Sequence, residues 1–107
     1  MRVLFIVGPF RASTPWGVEQ NIRRAEAVAF NVWMSGNAAI CPHTNTRYFD
    51  KSADDDLWLE GAKAILARCD GVVTVEGWEA SEGSLAEVAL ARTLGMPVYR
   101  GVLEIEQ

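Results

Sequence analysis

The chain has 107 residues, half of them apolar and 22% charged, enough for one small globular domain and too few for two separate cores. Its formal net charge of −4 excludes a general nucleic-acid binder, because such affinity rests on a basic field over the phosphates. At this size the buried fraction of the surface is modest, so pairing with a second copy would add stability, and four tryptophans point the same way.

The opening "MRVLFIVGPF" holds a single basic residue and a short apolar run, too short for a secretion signal or a membrane span. It reads as a strand over residues 3–7, buried on both faces of a parallel sheet and closed by Gly8-Pro9. The turn-forming "RASTPWG" predicts a loop, after which Val18, Ile22, Ala25, Ala29 and Val32 recur at helical spacing until Gly36-Asn37. "AAIC" predicts a second strand ended by Pro42, and residues 43–50 read as a loop. "SADDDLW" then opens a helix running to about Cys69, with Ser52 as its cap and three aspartates placed against the positive end of the helix dipole. "GVVTVEGW" is a third buried strand. "SEGSLAEVALARTLG" is a third helix, with Leu85, Val88, Ala89 and Leu94 expected to face inward, and "PVYRGVL" is a fourth strand. Strict alternation predicts an α/β fold: a small doubly wound, Rossmann- or flavodoxin-like parallel sheet of four to five strands flanked by helices.

Ligands of such sheets sit at the carboxyl ends of the strands, near the switch in strand order. That rule selects the segments after each strand. In "GPFRAST", Gly8 and Pro9 bring the backbone close to a ligand and Arg11 offers a planar fork for a phosphate or carboxylate; the segment also reads as an ordinary turn with an exposed arginine. In "GWEASEGSLAE", Ser81, Gly83 and Ser84 stand where a helix begins, so hydroxyls and backbone N–H groups form an anion cradle, while Ser81 serves equally as a plain cap. Glu87 follows within the next turn, either reaching over the sheet edge toward a ligand or lying on a solvated face. "CPHTNTRYF" adds His43 and Asn45 as hydrogen-bonding groups, and Trp78 either stacks on a base or packs. Cys41, Cys69 and the single His43 lack metal-ligand spacing, which predicts buried reduced thiols in a cytoplasmic protein and no metal or organic cofactor.

Read together, "FIVGPF", "CPHTN", "CDGVVTVEGW" and "SEGSLAEVALARTLGMPV" resemble the nucleoside 2-deoxyribosyltransferase-like superfamily, most closely its small phage and bacterial branch near the 2′-deoxynucleoside 5′-monophosphate N-hydrolases. The likeness spans nearly the whole chain, as one domain over 1–107, and rests on Cys69-Asp70, Gly77-Trp78 and the Ser-x-Gly-x-x-x-Glu pattern ending at Glu87. It implies cleavage or transfer of an N-glycosidic bond, with Glu87 attacking the anomeric carbon of the sugar. An ionised carboxylate suits that role because departure of the base leaves an oxocarbenium-like sugar. The likeness further implies that Ser81 and Arg11 bind a 5′-phosphate, and that the protein is a homodimer or higher homo-oligomer acting on a nucleoside 5′-monophosphate or nucleoside rather than on a nucleic-acid polymer or a membrane.

Two positions depart from the pattern. Phe5 stands where the superfamily carries a tyrosine that positions the glutamate, and Ala62 where it carries an aspartate that grips or protonates the leaving base. The expected function is therefore hydrolysis of a nucleoside 5′-monophosphate, with deoxyribosyl transfer and a catalytically silent nucleotide-binding module as the alternatives.

Overall fold

The computed structural model describes residues 1–49 and 51–105. Four strands, β1 (Val3–Val7), β2 (Ala38–Ile40), β3 (Gly71–Thr74) and β4 (Val98–Tyr99), form an all-parallel sheet in the order β2-β1-β3-β4. Sequence order reverses between β1 and β3, so the crevice of this flavodoxin-like arrangement opens at the carboxyl ends of those two strands. The sheet therefore has the predicted class and, among the described residues, the lower of the two expected strand counts.

Alternation along β1 divides the core. Leu4 and Ile6 join Val73, Val75, Ala25 and Val32 under α1 (Pro15–Met34), and Ile105 of the short α5 (Val102–Ile105) completes that layer. Phe5 and Val7 point the other way, into a cluster with Val72, Leu66 of α3 (Asp55–Leu66) and Val88 and Ala91 of α4 (Glu82–Thr93). The two faces of one five-residue strand thus hold the two helical layers, which is why its sequence is apolar at every position.

Several local expectations change. The first helix begins inside the predicted loop, because the Thr14 hydroxyl accepts a hydrogen bond from the Gly17 amide at 3.0 Å and Pro15 suits the first helical position. The segment expected to be a loop after β2 contains a helical turn, α2 (Pro42–Asn45), again opened by a proline; Asp50, the last residue of that expected loop, lies outside the described residues. Ser52 does not cap α3: Asp54 occupies the cap position without a side-chain hydrogen bond, and the helix stops at Leu66, three residues before Cys69. The third strand is shorter than "GVVTVEGW", since Gly77 takes φ 89° and turns the chain into a 3-10 helix over Trp78–Ala80. On α4 the inward set is Ser84, Glu87, Val88 and Ala91; Leu85 and Leu94 are about half exposed, and Ala89 is exposed as well. The "PVYRGVL" strand is two residues long and gives way to α5.

Candidate active site

β1 and β3 deliver two segments to the crevice between them: residues 8–14 and the turn from Val75 to Ser81 that leads into α4. The amide of Val75 donates to the carbonyl of Val7 at 2.7 Å, so the two strand ends stay in register as they leave the sheet. Gly8 is required by this packing. A Cβ there would lie 2.7 Å from Cβ of Val75, so the glycine expected to admit a ligand instead admits its neighbouring strand.

Ser81 caps α4, its hydroxyl accepting from the Ser84 amide at 3.3 Å, which favours the capping alternative. Gly83 faces Leu59 of α3, whose Cδ2 would stand 3.6 Å from an added Cβ. Ser84 is 1% exposed and its Oγ has no hydrogen-bond partner among the described residues. One turn further, Glu87 is 8% exposed. Among the described residues no hydrogen bond reaches its carboxylate, and burial pushes its pKa up to about 7, with the positive charge of Lys63 opposing that rise. The solvated-face alternative for Glu87 is thereby overturned. Buried polar groups are ordinarily hydrogen-bonded; Ser84 Oγ, like His43 Nδ1 and Trp58 Nε1, is buried without a partner among the described residues, and Glu87 lies three positions from Ser84 on the same face of α4.

The other predicted residues divide into those near this face of the sheet and those away from it. Trp78 is half-buried and packs on the cluster that contains Phe5 and Val88, in keeping with a packing role. Arg11 extends from the β1–α1 loop to an ion pair with Asp55 at the start of α3, and both side chains are largely exposed. His43 turns inward: its Nε2 lies 3.1 Å from the Gly8 carbonyl and 2.9 Å from that of Pro9, and its ring meets Phe10 edge-on. Both partners are acceptors, so Nε2 carries the proton and His43 holds the β1–α1 loop, while its basic Nδ1 is buried with no partner among the described residues. Burial pushes its pKa below the usual histidine range, partly offset by the two carbonyls. Asn45 is exposed and lines a cleft of about 410 Å³ with Phe30 and Trp33 of α1, on the opposite side of the sheet from Glu87. It is not brought to the same site.

Of two further acidic residues, Asp55 bears on the site and Asp70 does not. Asp55 fixes Arg11, a role that its place among three aspartates concealed. Asp70 of the "CD" pair lies at the far, amino end of the sheet, where Oδ2 accepts from the Val3 amide at 2.8 Å and its own amide donates to the Val3 carbonyl at 2.8 Å. That aspartate latches β1 to β3 and does not reach the crevice. Cys41 and Cys69 are buried free thiols, and burial raises the pKa of each. Among the described residues no three His, Cys, Asp or Glu side chains converge to hold a metal ion, and no helix is long and apolar enough to cross a membrane.

No curated protein matches the chain. Among solved structures, the chain is similar to the 2-deoxyribosyltransferase of the psychrotolerant bacterium Bacillus psychrosaccharolyticus, described as a biocatalyst for nucleoside synthesis, with a TM-score of 0.64 over 90% of this chain and 69% of that one. At 15% identity the likeness is one of fold. A family model matches residues 2–100, and on that match the chain belongs to the family described as Domain of unknown function (DUF7768).

Proposed function

We propose that this protein hydrolyses the N-glycosidic bond of a nucleoside 5′-monophosphate, with Glu87 as the nucleophile. One observation carries the reading: a glutamate 8% exposed on α4, the helix that follows the carboxyl end of β3, with no hydrogen-bond partner for its carboxylate among the described residues. Attack of ionised Glu87 on the anomeric carbon breaks the bond to the base and forms a glycosyl ester. Water then cleaves the ester, releasing the sugar phosphate and restoring the carboxylate. Burial supports this use, since an ion poorly solvated by its surroundings is the better nucleophile and the better partner for a developing positive sugar. In this reading the substrate's approach uncovers Ser84 Oγ, which is fully buried and unpartnered among the described residues, and takes a hydrogen bond from it. The fold shared with a 2-deoxyribosyltransferase is consistent with a nucleoside-like substrate. We include a single domain over residues 1–107, a cytoplasmic location and a homodimer in the proposal; Phe30, Trp33 and Met34 are exposed together on one flank of α1, as an oligomer contact would need.

A free nucleoside, hydrolysed or used for deoxyribosyl transfer, is the second reading. It is favoured by charge: Arg11 is already engaged by Asp55, and Glu76, Glu79 and Glu82 flank the start of α4. A bound 5′-phosphate must displace Asp55 from Arg11. A silent nucleotide-binding module is the third reading, supported by Ala62, which packs on the apolar cluster and supplies no proton to a leaving base.

Incubation with each ribo- and deoxyribonucleoside 5′-monophosphate and the corresponding nucleosides, alone and with an acceptor base, separates these readings by chromatography of the products. Base release from a monophosphate, lost in Glu87→Ala, is the expected result. Release or exchange from free nucleosides alone moves the second reading forward. Nucleotide binding by calorimetry without turnover leaves the silent module, and neither binding nor turnover ends all three.

A further inference from the structure

The register of α3 against α4 sets Lys63 on the helix face turned toward the candidate nucleophile. Each helix returns from a parallel strand to the next, so the two run in the same direction. Leu59 of α3 packs against Gly83 of α4. One helical turn further along both, Leu59 gives way to Lys63 and Gly83 to Glu87. The flanking residues fix that alignment, because Ala62 and Leu66 of α3 lie in the same apolar cluster as Val88 and Ala91 of α4. Lys63 therefore lies on the stripe of α3 that faces α4. It is partly covered, and its Nζ lies 3.7 Å from Oε1 of Glu60 on the outer side of its own helix.

Most other charges on these elements share the sign of Glu87. α3 carries Asp55, Asp56 and Glu60, the 3-10 turn carries Glu79, and α4 itself carries Glu82 and, in its last turn, the exposed Arg92; β1 and β3 contribute no charged side chain, and β4 contributes only Tyr99, which belongs to the cluster on the far face. Among the described residues, Lys63 is the sole basic residue on α3, the 3-10 turn, β1, β3 and β4, the elements that pack most closely against α4. Its ammonium opposes the upward push of burial on the carboxyl of Glu87.

We propose that Lys63 is a positioning residue for Glu87, its ammonium held one turn beyond the Leu59–Gly83 contact so that the neighbouring buried carboxyl stays available as a carboxylate at neutral pH. The proposal rests on Glu87 being the working group of the site, but its test does not depend on turnover. Glu60 competes for the same ammonium, so the outer carboxylate tunes how much of that charge the inner one receives.

The Glu87 carboxyl carbon, assigned by difference with Glu87→Gln, is followed by carbon NMR across pH 4 to 9 in the intact chain and in Lys63→Met and Lys63→Arg. The Met variant is expected to titrate about half a pH unit to one unit higher than the wild type, since a partly exposed charge several ångströms away acts through a high effective dielectric. The Arg variant is expected to titrate within about 0.3 unit of the wild type, which a merely structural role for the lysine stem would not require. An unchanged midpoint in Lys63→Met overturns the proposal whether or not the protein turns over any nucleotide. Should that variant fail to fold, Lys63→Gln decides by the same criterion. If the midpoints move as expected while no base is released by the wild type, the charge relation stands and the hydrolase reading falls separately.

Discussion

His43 and Glu87 are buried to nearly the same depth, at 6% and 8% exposure, one on α2 and one on α4, and both carry pKa values shifted by loss of solvent. Their surroundings differ. His43 meets two main-chain carbonyls, so its Nε2 proton is used up inside the fold and the ring stays neutral. Glu87 meets no donor among the described residues and lies one turn from Ser84, whose hydroxyl is also unpartnered. Depth alone therefore does not mark a functional group. Unmade bonds alone do not mark one either, since His43 Nδ1 and Trp58 Nε1 are also buried without partners among the described residues; the informative feature at Glu87 is a buried group that can carry charge and whose carboxyl burial pushes up to a pKa of about 7.

The largest effect expected from that contrast is on turnover. Replacing Glu87 with Gln should reduce base release by about a thousandfold or more, measured as initial rates with the preferred monophosphate. The same variant should be more stable than the wild type at pH 8. The carboxyl has a folded pKa of about 7 against the ordinary 4.5, so its protonated form favours the fold. That contribution is fully present below about pH 4.5 and is lost as pH rises through 7. Urea denaturation should accordingly show Glu87→Gln gaining roughly 1–3 kcal/mol at pH 8 and under about 1 kcal/mol at pH 5.

His43 should behave in the opposite sense. His43→Ala removes a buried ring and frees two carbonyls, with an expected loss of about 2–3 kcal/mol in the same denaturation experiment. Its depressed pKa means that the stability it contributes is present above the ordinary histidine pKa near 6.5 and is lost as pH falls through the lower folded value. Equal responses of the two variants to pH would erase the distinction between them.

Ser84→Ala sharpens the comparison from the ligand side. The hydroxyl is buried and unbonded, so its removal should leave stability unchanged or raise it by up to about 1 kcal/mol, while substrate KM rises about tenfold. A stability loss with KM unchanged would make Ser84 structural, like His43. The smallest effect is expected at the rim: Asp55→Asn should shift stability by no more than about 0.5 kcal/mol, because both it and Arg11 are largely exposed. It should tighten binding of a monophosphate, by freeing Arg11, and leave a free nucleoside unaffected.

Much of this was legible in the sequence, for reasons that differ by element. β1 and β3 announce themselves as continuous branched apolar runs because parallel strands are covered on both faces. The first helix shows a clear apolar stripe through Ile22, Ala25 and Val32. α4 was harder to read: its inward face includes Ser84 and Glu87, so a search for apolar periodicity selects Leu85 and Leu94, which lie outside. The same polar intrusion that defeats the pattern marks the candidate site. Residues 43–49 read as loop because a four-residue helix is too short to leave a periodic signal. The packing partner of Gly8, the carbonyl partners of His43 and the pairing of Arg11 with Asp55 depend on residues 34 to 67 positions away in the chain, which spacing alone does not encode.

The most direct test is the pH dependence of base release from nucleoside 5′-monophosphates by the wild-type chain and Glu87→Gln. The account predicts that kcat/KM rises with pH through a midpoint near 7, as Glu87 becomes the carboxylate that attacks the sugar, and that the variant shows no such rise. Release that persists in Glu87→Gln, or that falls as pH passes through 7, would contradict it.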